Sequence, residues 1–214
     1  MVSALTLCVA GTGRANAVSV IDQQQPVIDA SVAHIAVGGP SQQRLAQVVT
    51  TGRAGVLTEV RFPVVCQSGN LIVEVQGVTA NVPNGVILAS QSFPAASLPH
   101  SFSSPPSFTR LGFSTPASFG AGTQFAIVLR STGVCGVQEG PVGDPYPGGD
   151  AYFDALPNPP GVWVPLGPDG GRFDLPFQTL VGVTVNVPTL GATALSILAL
   201  LLGAAGFVAA WRRP

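Results

Sequence analysis

The densest concentration of chemically useful side chains lies in GPVGDPYPGGDAYFDALPNPPGVWVPLGPDGG, Gly140 to Gly171. It holds Asp144, Asp150, Asp154 and Asp169 beside Tyr146, Tyr152, Phe153 and Trp163. Clustered carboxylates and loop carbonyls suit Ca²⁺, which takes six to eight oxygen ligands, so Asp144, Asp150 and Asp154 are candidate ligands. The spacing is not that of an EF-hand loop, and composition alone carries the calcium reading. Aromatic rings beside polar loops suit stacking on sugar rings, which makes a polysaccharide a candidate partner. A third reading needs no ligand: Trp163, Tyr152 and Phe153 enter the core while the aspartates cap turns.

Catalytic groups are harder to find. A hydrolase triad needs a histidine base, and the chain has two, His34 in an apolar run and His100 in the Pro/Ser-rich stretch Pro94 to Pro106. G-x-S-x-G, H-E-x-x-H, a P-loop and Cys-x-x-Cys are all absent. Glu59 and Glu74 lie on different predicted strands and offer an acid/base pair on paper, but exposed strand-face carboxylates are the simpler account. The sequence therefore points to a non-enzymatic binding, matrix or envelope protein. The alternative is a secreted, glycan-directed hydrolase with its site among the acidic loop residues. Formal net charge is -1, all basic residues are Arg, and no basic stripe exists to follow a phosphate backbone. Nucleic acid is excluded as an expected partner.

The elements that must position these residues read as strands. Only 9% of the chain is charged, 46% is hydrophobic, and Gly 26 with Pro 20 supply abundant turns. Val56, Val60 and Phe62 share one strand face, with Glu59 and Arg61 on the other. The same alternation recurs at Leu71 to Gln76, Gln124 to Arg130 and Phe173 to Gln178, with weaker strands at Arg44 to Thr50, Val86 to Phe93 and Phe108 to Phe113. Turn residues separate them, at Gly38-Gly39-Pro40, Ser68-Gly69-Asn70, Pro83-Asn84-Gly85, Gly120-Ala121-Gly122 and Pro168 to Gly171. Strands polar on one face predict a mainly β fold over 18–185, an antiparallel β-sandwich of jelly-roll type. Once a signal segment carrying Cys8 is removed, Cys66 and Cys135 are the cysteines left; each ends a predicted strand, and an even count in an exported domain predicts a disulfide between them, with two free thiols as the alternative.

The chain ends predict export. Residues 1–17 have a short apolar stretch, Val2 to Ala10, followed by Ala15-Asn16-Ala17, the A-x-A form of a signal-peptidase site. Residues 186–214 form a tail in which Leu190 to Trp211 carry no formal charge and Arg212 and Arg213 follow directly. At about 1.5 Å per residue this length crosses a hydrocarbon core of about 30 Å, and the arginines keep the C-terminus in the cytoplasm.

Val187-Pro188-Thr189-Leu190, the apolar helix predicted over 191–211 and the cap at 212–213 together resemble the IPTL-CTERM class of bacterial sorting signals, relatives of PEP-CTERM signals. The stretches VLTEVRFPV, AIVLRSTG and DPYPGGDAYF, with a later Trp and FDLPFQT, also resemble β-sandwich domains that precede such tails, and more loosely carbohydrate-binding jelly rolls. The resemblance implies anchoring in a Gram-negative inner membrane with the domain in the periplasm. It further implies cleavage near Pro188-Thr189 by an exosortase-like enzyme and passage to the cell surface or extracellular matrix.

Overall fold

The computed structural model describes residues 16–31, 33–103, 105–167 and 173–185. The chain is mainly β, with fourteen strands and one short 3₁₀ turn, Ala95–Ser97, among the described residues. In chain order the strands are β1 (Asn16–Gln25), β2 (Ile35–Gly38), β3 (Arg44–Thr50), β4 (Gly55–Phe62), β5 (Val64–Cys66), β6 (Asn70–Thr79) and β7 (Val82–Pro94). They continue as β8 (Thr109–Gly112), β9 (Ser118–Phe119), β10 (Gln124–Ser131), β11 (Val134–Val137), β12 (Ala151–Asp154), β13 (Val164–Pro165) and β14 (Phe177–Val185).

Three sheets result. One has the order β1-β14-β4-β8, with β9 also on β4; a second runs β13-β12-β3-β10-β6-β7; the third is β2-β11-β5. The described registers are antiparallel. Leu57, Val60, Phe62 and Leu111 from the first sheet meet Leu45, Val73, Ile127 and Leu129 from the second in one buried cluster, and Val37, Val64 and Val137 of the third join it. Sheets closing on a shared apolar layer fit a β-sandwich. Cys66 and Cys135 face each other in the β5–β11 register and form a disulfide across a separation of 69 residues.

The central strands of the six-stranded sheet depart from simple alternation. In β3 the residues Leu45 and Val49 point into the core while Ala46 and Val48, on the opposite face, are also fully buried. Ala126 and Val128 of β10 repeat the pattern. A strand apolar on both faces is covered on both.

Two segments differ from the sequence expectation. The β6–β7 connection turns at Ala80-Asn81, both with positive φ (53° and 61°), between the paired Thr79 and Val82. Two residues at φ > 0 match the right-handed twist of a tight hairpin. Pro83-Asn84-Gly85, expected as the turn, instead opens β7 beside a register shift. The strand expected at Phe173 to Gln178 begins only at Phe177, because Asp174 turns inward to hydrogen bonds and Pro176 has no N–H for a ladder.

β1 starts at Asn16, so cleavage after Ala17 leaves Val18 to Gln25 of that strand in place. Ala15 and the rest of the expected signal segment lie outside the described residues. So do the tail at 186–214, with Val187, Pro188, Thr189, Leu190, Arg212 and Arg213, and the loop residue Asp169. Among the described residues no helix is long and apolar enough to cross a membrane.

Candidate functional site

The outer face of the six-stranded sheet carries a groove of about 560 Å³, within the range of roughly 300–1,000 Å³ usual for small-molecule sites. Register builds the covered layer beside it. Val128 stands between Ala46 and Glu74, Ala126 between Val48 and Gln76, and Tyr152 lies beside Ala46. Ala46, Val48, Ala126, Val128 and Tyr152 make a small apolar patch, against which Val78, Val82 and Trp163 pack. That patch is itself buried, and the apolar side chains that line the groove are Pro83, Ile87 and Trp163. One wall is the start of β7, with Pro83, Asn84 and Ile87; the other is the connection after β12, with Gly161 and Trp163.

Polar groups line the rest. Arg130 donates from Nε to Glu74 Oε1 at 2.6 Å, and Gln76 Nε2 donates to Glu74 Oε2 at 2.7 Å. Arg44 pairs with Asp154, whose Oδ2 also accepts the Gly161 N–H at 2.9 Å. That carboxylate ties the Trp163-bearing connection to the sheet, and the Arg44 guanidinium carbon lies 5.1 Å from the Trp163 ring centroid. Burial lowers the Arg44 pKa most, Glu74 raises it and the nearby Arg130 charge lowers it. In both ion pairs the carboxylate is the hidden partner. Glu74 is 5% exposed against 40% for Arg130, and Asp154 is 4% exposed against 26% for Arg44. Of the charged groups, the groove therefore presents the guanidiniums to solvent, beside the exposed Asn84 and Ile87.

Compared with known proteins, the chain matches no family model and no curated protein sequence. Its site has to be judged on geometry.

The structure does not gather the residues expected to bind calcium. Asp154 is held by Arg44 and Gly161, whereas Asp150 accepts from Asn81 Nδ2 at 2.5 Å and from the Tyr152 hydroxyl at 3.4 Å. Asp144 lines a separate small cavity with Asp150, Thr50 and Gln124. Among the described residues no group of three His, Cys, Asp or Glu is placed to share a metal ion. The separation has a simple cause: Ala151 to Asp154 is an extended strand, which sets its two flanking aspartates at opposite ends.

The aromatic residues divide. Tyr152 is buried, as the ligand-free reading has it, Phe153 packs partly against the core, and Tyr146, which that reading did not place, is buried too. Trp163 is half-buried and borders the groove. Tyr146 stacks edge-on against Phe177, and burial pushes its hydroxyl up to about 12. Glu59 and Glu74 lie in different sheets and form no pair; each is buried beneath arginines rather than exposed on its strand face. His34 is exposed beside Phe102, and His100 is exposed as well.

Arg44, Gln76, Asn84 and Arg130 were not recognisable as site residues from sequence. The only available signal was that Arg44, Glu74 and Arg130 fall on outward positions of neighbouring strands. Asp174 was equally hidden. Its two oxygens accept from Gln47 Nε2 and from the Tyr146 N–H, both at 2.9 Å, while Gln47 Oε1 accepts the Leu175 N–H. Burial, reinforced by Asp144 and Asp150, raises its pKa to about 6 despite those donors. The network pins the acidic connection to Gln47 of the interior strand β3.

Proposed function

We propose that this chain is an exported, non-enzymatic β-sandwich protein of jelly-roll type that binds a polysaccharide in the groove of its six-stranded sheet. The observation that carries the proposal is the combination in one groove of the apolar Ile87 and Trp163 side chains with the Arg44, Glu74, Gln76 and Arg130 polar groups. Sugars offer ring faces of C–H groups and edges of hydroxyls, so they need a flat apolar partner beside oriented donors and acceptors. Glu74 is fully engaged by Arg130 and Gln76, which suits a binding role better than proton transfer.

Residues 1–17 act as a signal peptide cut after Ala17. The tail anchors the protein in the inner membrane through its apolar helix, with Arg212 and Arg213 in the cytoplasm. The Val187-Pro188-Thr189-Leu190 motif then directs processing by an exosortase-like enzyme, releasing a cell-surface or matrix component. Its partners are therefore the membrane, a sorting enzyme and a glycan.

Immobilised glycans probed with the full-length chain in mild detergent test the binding role. Retention on at least one polysaccharide, lost on Trp163→Ala with folding intact, is expected; retention on none would defeat it. Mass spectrometry of the terminal peptides recovered from cells tests the export scheme, which predicts a mature start at Val18 and a C-terminus near Pro188. Cells that hold only full-length protein ending beyond Arg213 would leave a plain anchor without sorting.

A further inference from the structure

We infer that the groove selects acidic polysaccharides: a uronate carboxylate is read by the outward guanidinium edges of Arg44 and Arg130 while a sugar ring lies against Trp163. The inference rests on the binding role proposed above and adds the chemical class of the ligand. It follows from which half of each ion pair is hidden.

Glu74 engages the Nε edge of Arg130, and Asp154 takes the Nη2 end of Arg44. A guanidinium carries five N–H donors in a planar fork, so both arginines keep donors directed away from their carboxylates. Those donors are the accessible part of the two ion pairs, since Glu74 and Asp154 are almost completely covered. Gln76 occupies the second oxygen of Glu74 and that side chain is only 5% exposed, which leaves it little reach as an acceptor for sugar hydroxyls. A neutral glycan would leave two cations without a counter-charge, whereas a carboxylate would form charge-assisted hydrogen bonds with a matching fork. Glu74 and Asp154 thus act as positioning residues that hold the two forks toward the groove. Trp163, fixed through the Asp154–Gly161 hydrogen bond, supplies the apolar face that a simple anion would not use.

Calorimetry on the full-length chain in detergent, with polygalacturonate, its methyl ester and a neutral glucan as probes, tests this. Methyl esterification removes the charge and leaves the rings, so affinity should fall at least tenfold, about 1.4 kcal/mol. The paired variant Glu74→Gln with Arg130→Gln removes both charges together and avoids a stranded buried carboxylate. It should lower affinity for the acid and shrink the acid-to-ester ratio, while Trp163→Ala weakens both. Equal affinity for acid and ester overturns the acidic selectivity and leaves a glycan site standing. Failure of all three probes, with the melting transition intact, overturns the acidic inference; the wider binding role is then judged by the immobilised glycans. Dextran sulfate binding as tightly as polygalacturonate, and unaffected by Trp163→Ala, also overturns the inference, because charge alone would then suffice.

Discussion

Glu59 and Glu74 occupy comparable places, each on the outer face of its sheet and each tucked beneath arginines. Glu59 accepts from Arg61 Nε at 2.5 Å and from Arg110 Nε at 2.9 and 3.1 Å. Burial alone would raise its pKa, but the hydrogen bonds from Arg110 and Arg61 outweigh it and the net shift is downward. Arg110 is 73% exposed, and the register neighbour of Glu59 on β8 is Gly112, so this cluster is open on that side. Glu74 and Arg130 form much the same pair but lie between two walls, beside the apolar Ile87 and Trp163. The difference teaches that carboxylate–arginine pairs are how a twisted sheet covers its outer face, and that the flanking segments convert one of them into a site.

The largest expected effect ignores that distinction. Opening the Cys66–Cys135 bridge by Cys→Ser replacement at both positions should cost about 4 kcal/mol on the chain-entropy model for a loop of this length. Denaturant melts should show both faces lost in one transition; a groove that melts separately would break the picture of one core. Next, Glu74→Ala should cost about 2–3 kcal/mol, below the full cost of breaking a buried pair because Arg130 is partly hydrated. Glu59→Ala should cost less, since Arg61 and Arg110 can return to water, and should leave glycan binding unchanged. Chemical denaturation of the two variants side by side checks the ranking.

Asp174→Asn should cost about 1–3 kcal/mol, because an amide turns one of two required acceptors into a donor facing a donor. Its pH signature is distinctive. The folded pKa of Asp174 is raised from 3.8 to about 6, so its contribution is complete below 3.8 and is lost as pH rises through about 6. Glu59, with a lowered folded pKa, contributes above its ordinary 4.5 and is lost as pH falls through the folded value. Melting temperature should therefore peak between these limits, and Asp174→Asn should remove the decline on the upper side. The smallest effect is Trp163→Ala, for which the lost contact with Arg44 is worth about 0.5–1 kcal/mol of stability. Its consequence lies in binding.

Much of the scaffold was legible because strands with one wet face announce themselves. Leu71, Val73 and Val75 alternating with Glu74 and Gln76 gave β6, and β3 falls where expected, at Arg44–Thr50. The disulfide was legible from cysteine count and position. Short strands such as β5 and β13 were not, since three or two residues carry no periodicity. Nor was the hairpin at Ala80-Asn81, because a strong turn signal at Pro83-Asn84-Gly85 lay three residues away and tertiary pairing decided between them. The groove was the least legible feature. Arg44, Glu74, Arg130 and Trp163 are distant in sequence, and only strand order β12-β3-β10-β6 makes them neighbours. Composition singled out the acidic loop, but Asp154 serves there as a staple for Trp163.

Hydrogen exchange of the full-length chain, with and without saturating polygalacturonate, tests the central claim most directly. Added protection should appear at 82–87 and 155–163, the two walls, and be absent at 109–112 on the five-stranded sheet. Protection concentrated at 109–112, or spread evenly over both faces, would contradict the assignment of function to the groove.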